Sequence, residues 1–588
     1  MDLLVALLAG AALIGVWAAC GSWLLSRLAP GACQNRLLVQ ATAPALGALT
    51  FALLALLLSL PGWCQPSVCR SLTLVGLLAF RPKRIALPAS ALLLVGLATL
   101  GALAPTTHVD TQSYHYPLPW RYLQHGGLHW TGLGVFDGVF HLFHLMLVWP
   151  LALGGELCAN LLGPLFLAVT GLALASFQPG SRLPWLLLAS SPLLVIQSSG
   201  GLPELPAAAM ALLGLAWWQR GLQPGAGSSM TLAALFCGAA VSMRLNLAPL
   251  AAALALATRI AGGGWRAAMK PLLATGLCCF PWLAFNLWHT GHPLYPVGVR
   301  WQVKDLRTVP SAAPVPAAPG QFPPVVQLEG LPWNLLLPVA PQDSPRRWQD
   351  TLTPVLIAGC VLGLGRSPGP LLWPGLLYLL LLIPLRIQDL RYGAPGAVWL
   401  MPLALLGWGR PRSGLVHALL MLGVAVGGVT SWSFLPPRLL PLLGGDRRHD
   451  YLSRRLEVYQ AYRWLAGTHY RNILLTDNRG WRCPRTWCTY IQDDLSQAAR
   501  PYEEGSLAGI RRALEQRGCD LVLLNLRREE VRCAVESSEH VAAWLEKNPG
   551  SFREMRVRML WHLIRGGKVV YSQDGVLAIE WPRPGPNP

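Results

Sequence analysis

Acidic side chains are scarce in this sequence of 588 residues: 28 Asp and Glu stand against 47 Lys and Arg, and charged residues make up only 13% of the chain. Apolar residues make up 53% and recur in long runs. A helix that crosses a hydrocarbon core of about 30 Å needs roughly 20 such residues. The pattern excludes a single soluble domain and predicts a polytopic helical membrane protein.

The net charge of +19 would suggest nucleic-acid binding in a soluble protein. Here Lys and Arg occupy short loops between apolar runs and the polar C-terminal region, where membrane topology and lipid headgroups account for them. We therefore expect membrane lipids, and no nucleic acid, among the partners.

The chain also lacks a basic segment at its start, so the apolar run at 3–27 is interpreted as a retained first span and not as a cleaved signal. Its 13 cysteines lack the paired spacing of a zinc site. Only Cys483 and Cys488 lie close together, and a disulfide or two free thiols both remain open there.

About eleven to thirteen transmembrane helices are predicted. The apolar runs that predict them lie at about 3–27, 39–61, 86–105, 142–177, 183–199, 203–219, 229–243, 245–258, 268–288, 352–366, 370–386, 392–409 and 413–434.

Basic residues predict the orientation in the plasma (inner) membrane. A cytoplasmic N-terminus places most interhelical basic residues inside, and only Arg27 and Arg36 count against it. The inside set is Arg81, Lys83, Arg84, Arg182, Arg220, Arg259, Arg266, Lys270, Arg366, Arg410 and Arg412. The same threading puts outside the loops at about 106–140 and 289–350, the segment 200–204 and everything after 435.

The composition changes after the last span, which divides the chain into a membrane domain at 1–440 and an extracytoplasmic α/β domain at 445–588. Strands are predicted at 472–476 and 520–525, helices at 506–517 and 540–547, and a hairpin formed by 568–571 and 576–580. The tail has no Gly-rich phosphate loop and no evident nucleophile arrangement, so neither nucleotide binding nor catalysis is assigned to it.

A polar stretch, HVDTQSYHYPLPWRYLQHGGLHW at 108–130, follows directly on an apolar run and carries Asp110 and four histidines. A carboxylate just outside a span, among imidazole and aromatic side chains, is a candidate for chemistry at the bilayer surface. A solvated interfacial loop is the alternative. Further along, His141 and His144 lie three residues apart, with Asp137 a turn before. This spacing would suit a pair of ligands, but an interfacial histidine face is the preferred interpretation.

Four segments then suggest a family. They are DTQSYHYPLP at 110–119 with YLQHG at 122–126, PWLAFN at 281–286 with TGHPLYP at 290–296, RYGAP at 391–395, and the α/β tail. In this order they resemble the bacterial branch of the GT-C superfamily, with His292 where that family often has Asn. GT-C enzymes are integral-membrane glycosyltransferases, related to protein O-mannosyltransferases and to the lipid A aminoarabinose transferase.

The resemblance implies a GT-C-like membrane domain followed by the α/β domain. It also implies transfer of a monosaccharide from a polyprenyl-phosphate carrier to a hydroxyl of a glycan, lipid or protein acceptor at the extracytoplasmic face. Such an enzyme needs a carboxylate that takes or orients the acceptor proton. It also needs cations, or a metal, that hold the phosphate as charge develops on it.

By position in the family pattern, Asp110 is the expected base and Glu204, where relatives often carry Asp, the second catalytic acid; a merely interfacial Glu204 at a span end stays open. Tyr114 and His115 are expected to contact substrate, because they lie within the first motif. Arg391, beside Tyr392, is the first candidate for the phosphate, followed by Arg244 and more weakly by Arg121. Tyr392 is expected to contact substrate, and a snorkelling Arg244 stays open. A divalent cation (Mg²⁺ or Mn²⁺) on His108, Asp110 and His115 stays open beside a hydrogen-bonding role for the histidines. A polytopic transporter or flippase for a lipid-linked or small polar substrate is the alternative function.

Overall fold

The structure is a computed structural model that describes residues 3–30, 35–80, 87–131, 133–223, 225–295, 354–364, 369–382, 396, 398–409, 414–432, 435–444, 446–475, 479–489, 518–525, 564, 566–573 and 575–580. The predicted helices at 506–517 and 540–547 lie outside the described residues. Helices dominate up to residue 466, and a small sheet follows, which confirms the predicted fold class.

The first thirteen helices account for most of the membrane region. They are α1 Leu3–Leu28, α2 Arg36–Ser59, α3 Pro66–Ala79, α4 Ala89–Ala102, α5 Pro117–His125, α6 Leu142–Asn160, α7 Leu162–Ala175, α8 Leu183–Ala189, α9 Pro192–Gln197, α10 Glu204–Gly221, α11 Gly227–Met243, α12 Pro249–Ile260 and α13 Trp265–Thr290. Within the described residues α1, α2, α6 and α13 are long and apolar enough to cross a membrane, judged by length and composition.

The remaining described helices have 11 residues or fewer, apart from α17, which has 19. They are α14 Pro354–Leu364, α15 Leu372–Leu382, α16 Met401–Trp408, α17 Gly414–Trp432, α18 Leu435–Leu439, α19 Asp446–Arg455 and α20 Tyr459–Ala466. The five strands are β1 Asn472–Leu475, β2 Thr486–Thr489, β3 Leu521–Asn525, β4 Lys568–Gln573 and β5 Val576–Glu580.

Small residues let α1 and α2 pack as a close antiparallel hairpin. A Cβ on Gly21 would strike the carbonyl oxygen of Ala43, and one on Gly47 would strike the backbone of Trp17. Membrane helices commonly approach through glycine in this way, because apolar side chains gain little by leaving lipid. The pairing places the start of α1 beside the end of α2.

The end of α2 lies against the polar loop. The amide of Cys64 donates to the carbonyl of Gly126 over 2.7 Å, and a Cβ on Gly127 would meet the backbone of Ser59. We call the end of the helices that carries residues 59–64 and 126–127 the loop end. The N-terminal end of α1 therefore shares the loop end with residues 108–130. This arrangement differs from the predicted threading, which put these two on opposite sides and had no span at α3.

The predicted single span at 142–177 is two helices. In α6 the backbone of Gly155 has φ 61° and ψ −150°, a conformation that essentially only glycine adopts. His144 near one end of α6 contacts His115, while Asn160 at the other end donates to the carbonyl of Ala104. Both ends of α6 thus lie at the loop end, and α7 alone leads away from it, since Ser176 beyond its last residue meets Asn35 ahead of α2.

The C-terminal sheet has the order β2-β1-β3-β5-β4. β1 is parallel to β2 and β3, whereas β5 is antiparallel to both β3 and β4. Strands β1 and β3 and the β4–β5 hairpin match the prediction; β2 was missed. Cys483, ahead of β2, is a free cysteine, and the side chain of Cys488 lies outside the described residues.

Candidate active site

The polar loop is compact. Asp110 precedes a π-helical turn, Thr111–His115, whose five residues are all buried, and α5 follows at Pro117. Helix α5 ends at Gly126, whose φ of 84° is a left-handed conformation that glycine adopts without a Cβ clash. The backbone amide of Asp110 donates to Nδ1 of His108 over 3.2 Å. The loop therefore holds Asp110 at the edge of a packed structure.

The loop packs directly on the segment that leads into α10. Thr111 donates its hydroxyl hydrogen to the carbonyl of Gly200. Gly201, with φ 63°, lies so close to Tyr116 that a Cβ there would strike the tyrosine hydroxyl. Three residues later Glu204 opens α10. The first-loop acid and the expected second acid are thus carried by two segments in contact.

Glu204 forms a buried ion pair with Arg244. The Glu204 side chain is 2% exposed and that of Arg244 is 14% exposed. Arg244 lies where α11 ends and a short 3-10 turn, Leu245–Leu247, leads into α12. This break in the apolar run brings a cation to the carboxylate at the loop end. Two residues that the sequence put forward for separate roles are therefore partners.

Beside this pair is a chain of buried imidazoles. Nδ1 of His115 and Nε2 of His144 are 3.0 Å apart, and Nδ1 of His144 is 3.3 Å from Nδ1 of His141. His141 continues to the hydroxyl of Tyr122 at 3.1 Å and to the carbonyl of Asp137 at 2.8 Å. The interpretation of His141 and His144 as an interfacial face is wrong: both are buried and bonded to each other.

Tyr114 packs beside His115, the end of this chain that belongs to the loop. The ring of Tyr114 stacks on Phe136 at 4.2 Å, and its centroid is 4.0 Å from that of His115. Arg244 lies close enough to His144 for the two side chains to interact electrostatically. Within the described residues no three His, Cys, Asp or Glu side chains are grouped to hold a metal ion.

The carboxylate of Asp137 has a structural role. It accepts hydrogen bonds from the amide and hydroxyl of Thr131 at 2.9 and 2.7 Å, and from the amide of Leu133 at 2.7 Å. Burial raises the pKa of Asp137 to about 6, against these three bonds and Arg121, which lower it. Desolvation has the larger effect on this pKa. The three hydrogen bonds hold Thr131 and Leu133 against Asp137.

The second family motif fastens this region to α13. The side-chain amide of Asn286 donates to the carbonyls of Gly138 and Tyr295 over 2.9 and 2.8 Å. Trp282 donates to the hydroxyl of Ser242 near the end of α11, and its ring lies 5.8 Å from that of His141. The motif residues described here therefore position the site by holding backbone, and His292 lies just past the left-handed Gly291 that ends α13.

Sequence reasoning missed the contact between the loop and the C-terminal domain. Arg121 donates to the carbonyls of Thr131 and Trp487, both over 2.7 Å, and its guanidinium lies 4.9 Å from the Trp487 ring centroid. Arg482 bonds both carboxylate oxygens of Glu156, at 2.6 and 2.7 Å. The guanidinium of Arg121, the third candidate for the phosphate, is therefore engaged by the C-terminal domain.

No family model and no curated protein matches this chain. Solved structures do match. ArnT from Cupriavidus metallidurans in the apo state is 13% identical, with 83% of this chain and 96% of that chain covered and a TM-score of 0.48. The same protein bound to undecaprenyl phosphate is also 13% identical, with 84% and 96% covered and a TM-score of 0.49. The chain is similar in outline to ArnT.

Arg391, the first candidate for the phosphate, and Tyr392 lie outside the described residues. The structure adds another cation that the sequence did not single out. Arg438 of α18 donates to the carbonyl of Ser199 over 2.8 Å and to that of Gly101 over 3.4 Å. It therefore ties the entry into the C-terminal domain to the segment just before Gly200. Its only sequence signal is a basic residue beside two prolines after the last span.

Proposed function

We propose that this protein is a GT-C-type membrane glycosyltransferase that moves a monosaccharide from a polyprenyl-phosphate carrier to an acceptor hydroxyl. The observation that carries the proposal is the contact of the Asp110 loop with the Gly200–Gly201 turn that leads into the Glu204–Arg244 pair. Carboxylate and guanidinium groups thereby meet at the loop end, where a lipid phosphate and a polar acceptor can both arrive. The motif resemblance supplies the reaction class.

The proposed step is one displacement at the anomeric carbon. The acceptor oxygen forms the new bond to that carbon while its proton passes to the carboxylate of Asp110. The bond from the anomeric carbon to the phosphate oxygen breaks, and the polyprenyl phosphate leaves with the bonding electron pair. Negative charge develops on that phosphate, which a nearby guanidinium stabilises.

The roles of the other residues follow from their partners. Glu204, engaged by Arg244, is assigned to orienting this guanidinium rather than to accepting the proton. Arg244 and Arg391 are assigned to the phosphate, and Tyr392 is assigned to substrate contact. Tyr114 and His115 are assigned to the sugar or acceptor.

The loop end is assigned to the extracytoplasmic face of the plasma membrane. Arg27, Arg36 and Arg182 lie toward the opposite end, as the contact of Asn35 with Ser176 indicates, and the positive-inside rule places that end in the cytoplasm. The C-terminal domain, proposed at 445–588, and the N-terminal end of α1 are then both extracytoplasmic. The membrane domain is proposed at 1–440.

The test uses purified protein in nanodiscs and a panel of radiolabelled polyprenyl-phosphate sugars, with acceptor-containing membranes added. Undecaprenyl phosphate, the lipid in the second ArnT structure, is the first carrier for the panel. We expect release of label from one donor lipid, with equal appearance in an acceptor. In parallel, proteoliposomes loaded with the same lipids report label movement between leaflets.

Transfer of label to an acceptor supports the proposal. Movement of intact donor between leaflets, without release from any lipid of the panel, contradicts it and favours the transporter.

A further inference from the structure

We propose that Arg482 and Glu156 form a joint by which the C-terminal domain holds the Asp110 loop in its working conformation. The inference rests on the proposed function and adds a positioning role for two residues that lie outside the three short motifs of the resemblance. Glu156 lies in α6 and Arg482 lies in the turn before β2, so the joint connects the membrane region with the sheet.

The joint reaches the start of the loop through one carboxylate. Oε1 of Glu156 accepts a hydrogen bond from the backbone amide of Thr106 over 2.6 Å, and Nη2 of Arg482 bonds Oε1 and Oε2 of the same carboxylate. Both charged side chains are 13% exposed. Charge-assisted hydrogen bonds of this length, largely shielded from water, are stronger than surface pairs. Thr106 is four residues before Asp110.

Gly155 directs the side chain of Glu156 toward Thr106 and Arg482. Its backbone conformation breaks the regular course of α6 one residue earlier, and nothing lies within 4 Å of the Cβ that another residue would carry there. Space therefore does not require glycine at this position; the backbone conformation does.

A second contact holds the same loop from the other side. Trp481, next to Arg482, lies edge-on to Tyr116 at 5.5 Å and to Trp120 at 6.1 Å. Tyr116 in turn donates its hydroxyl hydrogen to Asn160. Burial, and then the Glu156 carboxylate, raises the pKa of Tyr116, so its hydroxyl remains a donor. The 480–482 turn therefore reaches the residues before Asp110 through Glu156 and contacts the residues after Asp110 directly.

The consequence for catalysis follows from geometry. Asp110 and Glu204 lie on separate segments, and a transfer reaction depends on their relative placement within a fraction of an ångström. Loss of the joint is expected to loosen residues 104–116 and to lower kcat while KM for the donor lipid changes little, because Glu156 and Arg482 are assigned no substrate contact.

The experiment compares Arg482→Gln and Glu156→Gln with Arg485→Gln. Arg485 lies three residues away and donates only within its own domain, to the carbonyls of Ala466 and Thr468, in the contacts that the structure gives. It is the matched control. Hydrogen–deuterium exchange of peptides covering 104–116 is measured on the intact protein in nanodiscs, beside kcat and KM for sugar release.

We expect faster exchange of 104–116 in Arg482→Gln, a loss of kcat of up to about 100-fold, and partial recovery in Arg482→Lys, which keeps the charge. Glu156→Gln should be milder, since its amide oxygen still accepts from Thr106. Exchange of 104–116 that matches wild type in Arg482→Gln overturns the joint. If no form of the protein releases sugar, the proposed function fails, and the exchange data still decide whether Arg482 orders the loop.

Discussion

At the scale of single residues, the partners of His141, His144 and His115 determine which ring nitrogen of each histidine carries the proton. His141 Nε2 faces the carbonyl of Asp137, which only accepts, so this nitrogen carries the proton and Nδ1 carries a lone pair. A bare Nδ1 on His144 would then oppose that lone pair at 3.3 Å. His144 therefore carries its proton on Nδ1 and accepts at Nε2 from Nδ1 of His115.

In a neutral chain this order places the lone pair of His115 on Nε2. The sequence indicated His115 by resemblance, but the orientation of its ring depends on His144, which no motif contains.

Asp137 gives a prediction about pH. Its pKa is raised to about 6 in the folded protein, from 3.8, so its contribution to stability is fully present below about pH 4 and is lost as the pH rises through 6. Going from pH 7 to pH 4, wild type should gain up to about 3 kcal/mol relative to Asp137→Asn. The measurement is the difference in melting midpoint between the two proteins in nanodiscs across that range.

The variant itself is the control, because every other titrating group is common to both proteins. A wild-type-minus-variant difference that stays flat between pH 4 and pH 7 would show that the buried carboxyl titrates as it does in the unfolded chain.

At the scale of elements, the difference between the predicted threading and the packing of α1 and α2 has a simple cause. Helix α3 has 14 residues, Pro66–Ala79, and includes Arg70 and several polar side chains, so it fell below the length and hydropathy expected of a span. Arg70 donates from Nε to the carbonyl of Ala152 over 2.8 Å, which accommodates its charge against α6. A short helix of this kind is tolerated in a membrane because neighbouring helices satisfy its polar groups.

The corrected threading predicts that both termini lie on one side of the membrane. Reporter fusions ahead of α1 and after β5 should be active in the same compartment, and a fusion in the 176–182 turn should report the opposite one. The 176–182 fusion serves as the control for insertion. Reporters at the two termini that lie on opposite sides would contradict the placement of Cys64 beside Gly126.

At the scale of the whole molecule, local patterns predicted much of the architecture. Apolar runs located most helices, and the alternation of short apolar runs with turn residues located β1, β3 and the hairpin. Resemblance put Asp110 and Glu204 forward. The pairing of Glu204 with Arg244, the burial of His144 and the docking of Arg482 on Glu156 could not be predicted, because each joins residues far apart in sequence whose local context carries no sign of a partner.

The central claim is that Asp110 performs the chemistry where the loop contacts the Gly200–Gly201 turn that leads into the Glu204–Arg244 pair. The measurement that tests it most directly is single-turnover release of radiolabelled sugar from the donor lipid identified by the panel. Wild type is compared with Asp110→Asn, which keeps size and removes basicity, and with Asp137→Asn, the buried carboxylate of the same loop that contacts only the loop's own groups in the bonds described.

We predict a loss of about 100-fold or more in the release rate for Asp110→Asn, with donor-lipid binding retained, and a far smaller loss for Asp137→Asn. A rate in Asp110→Asn equal to that of wild type would contradict the account and move the proton transfer to another residue.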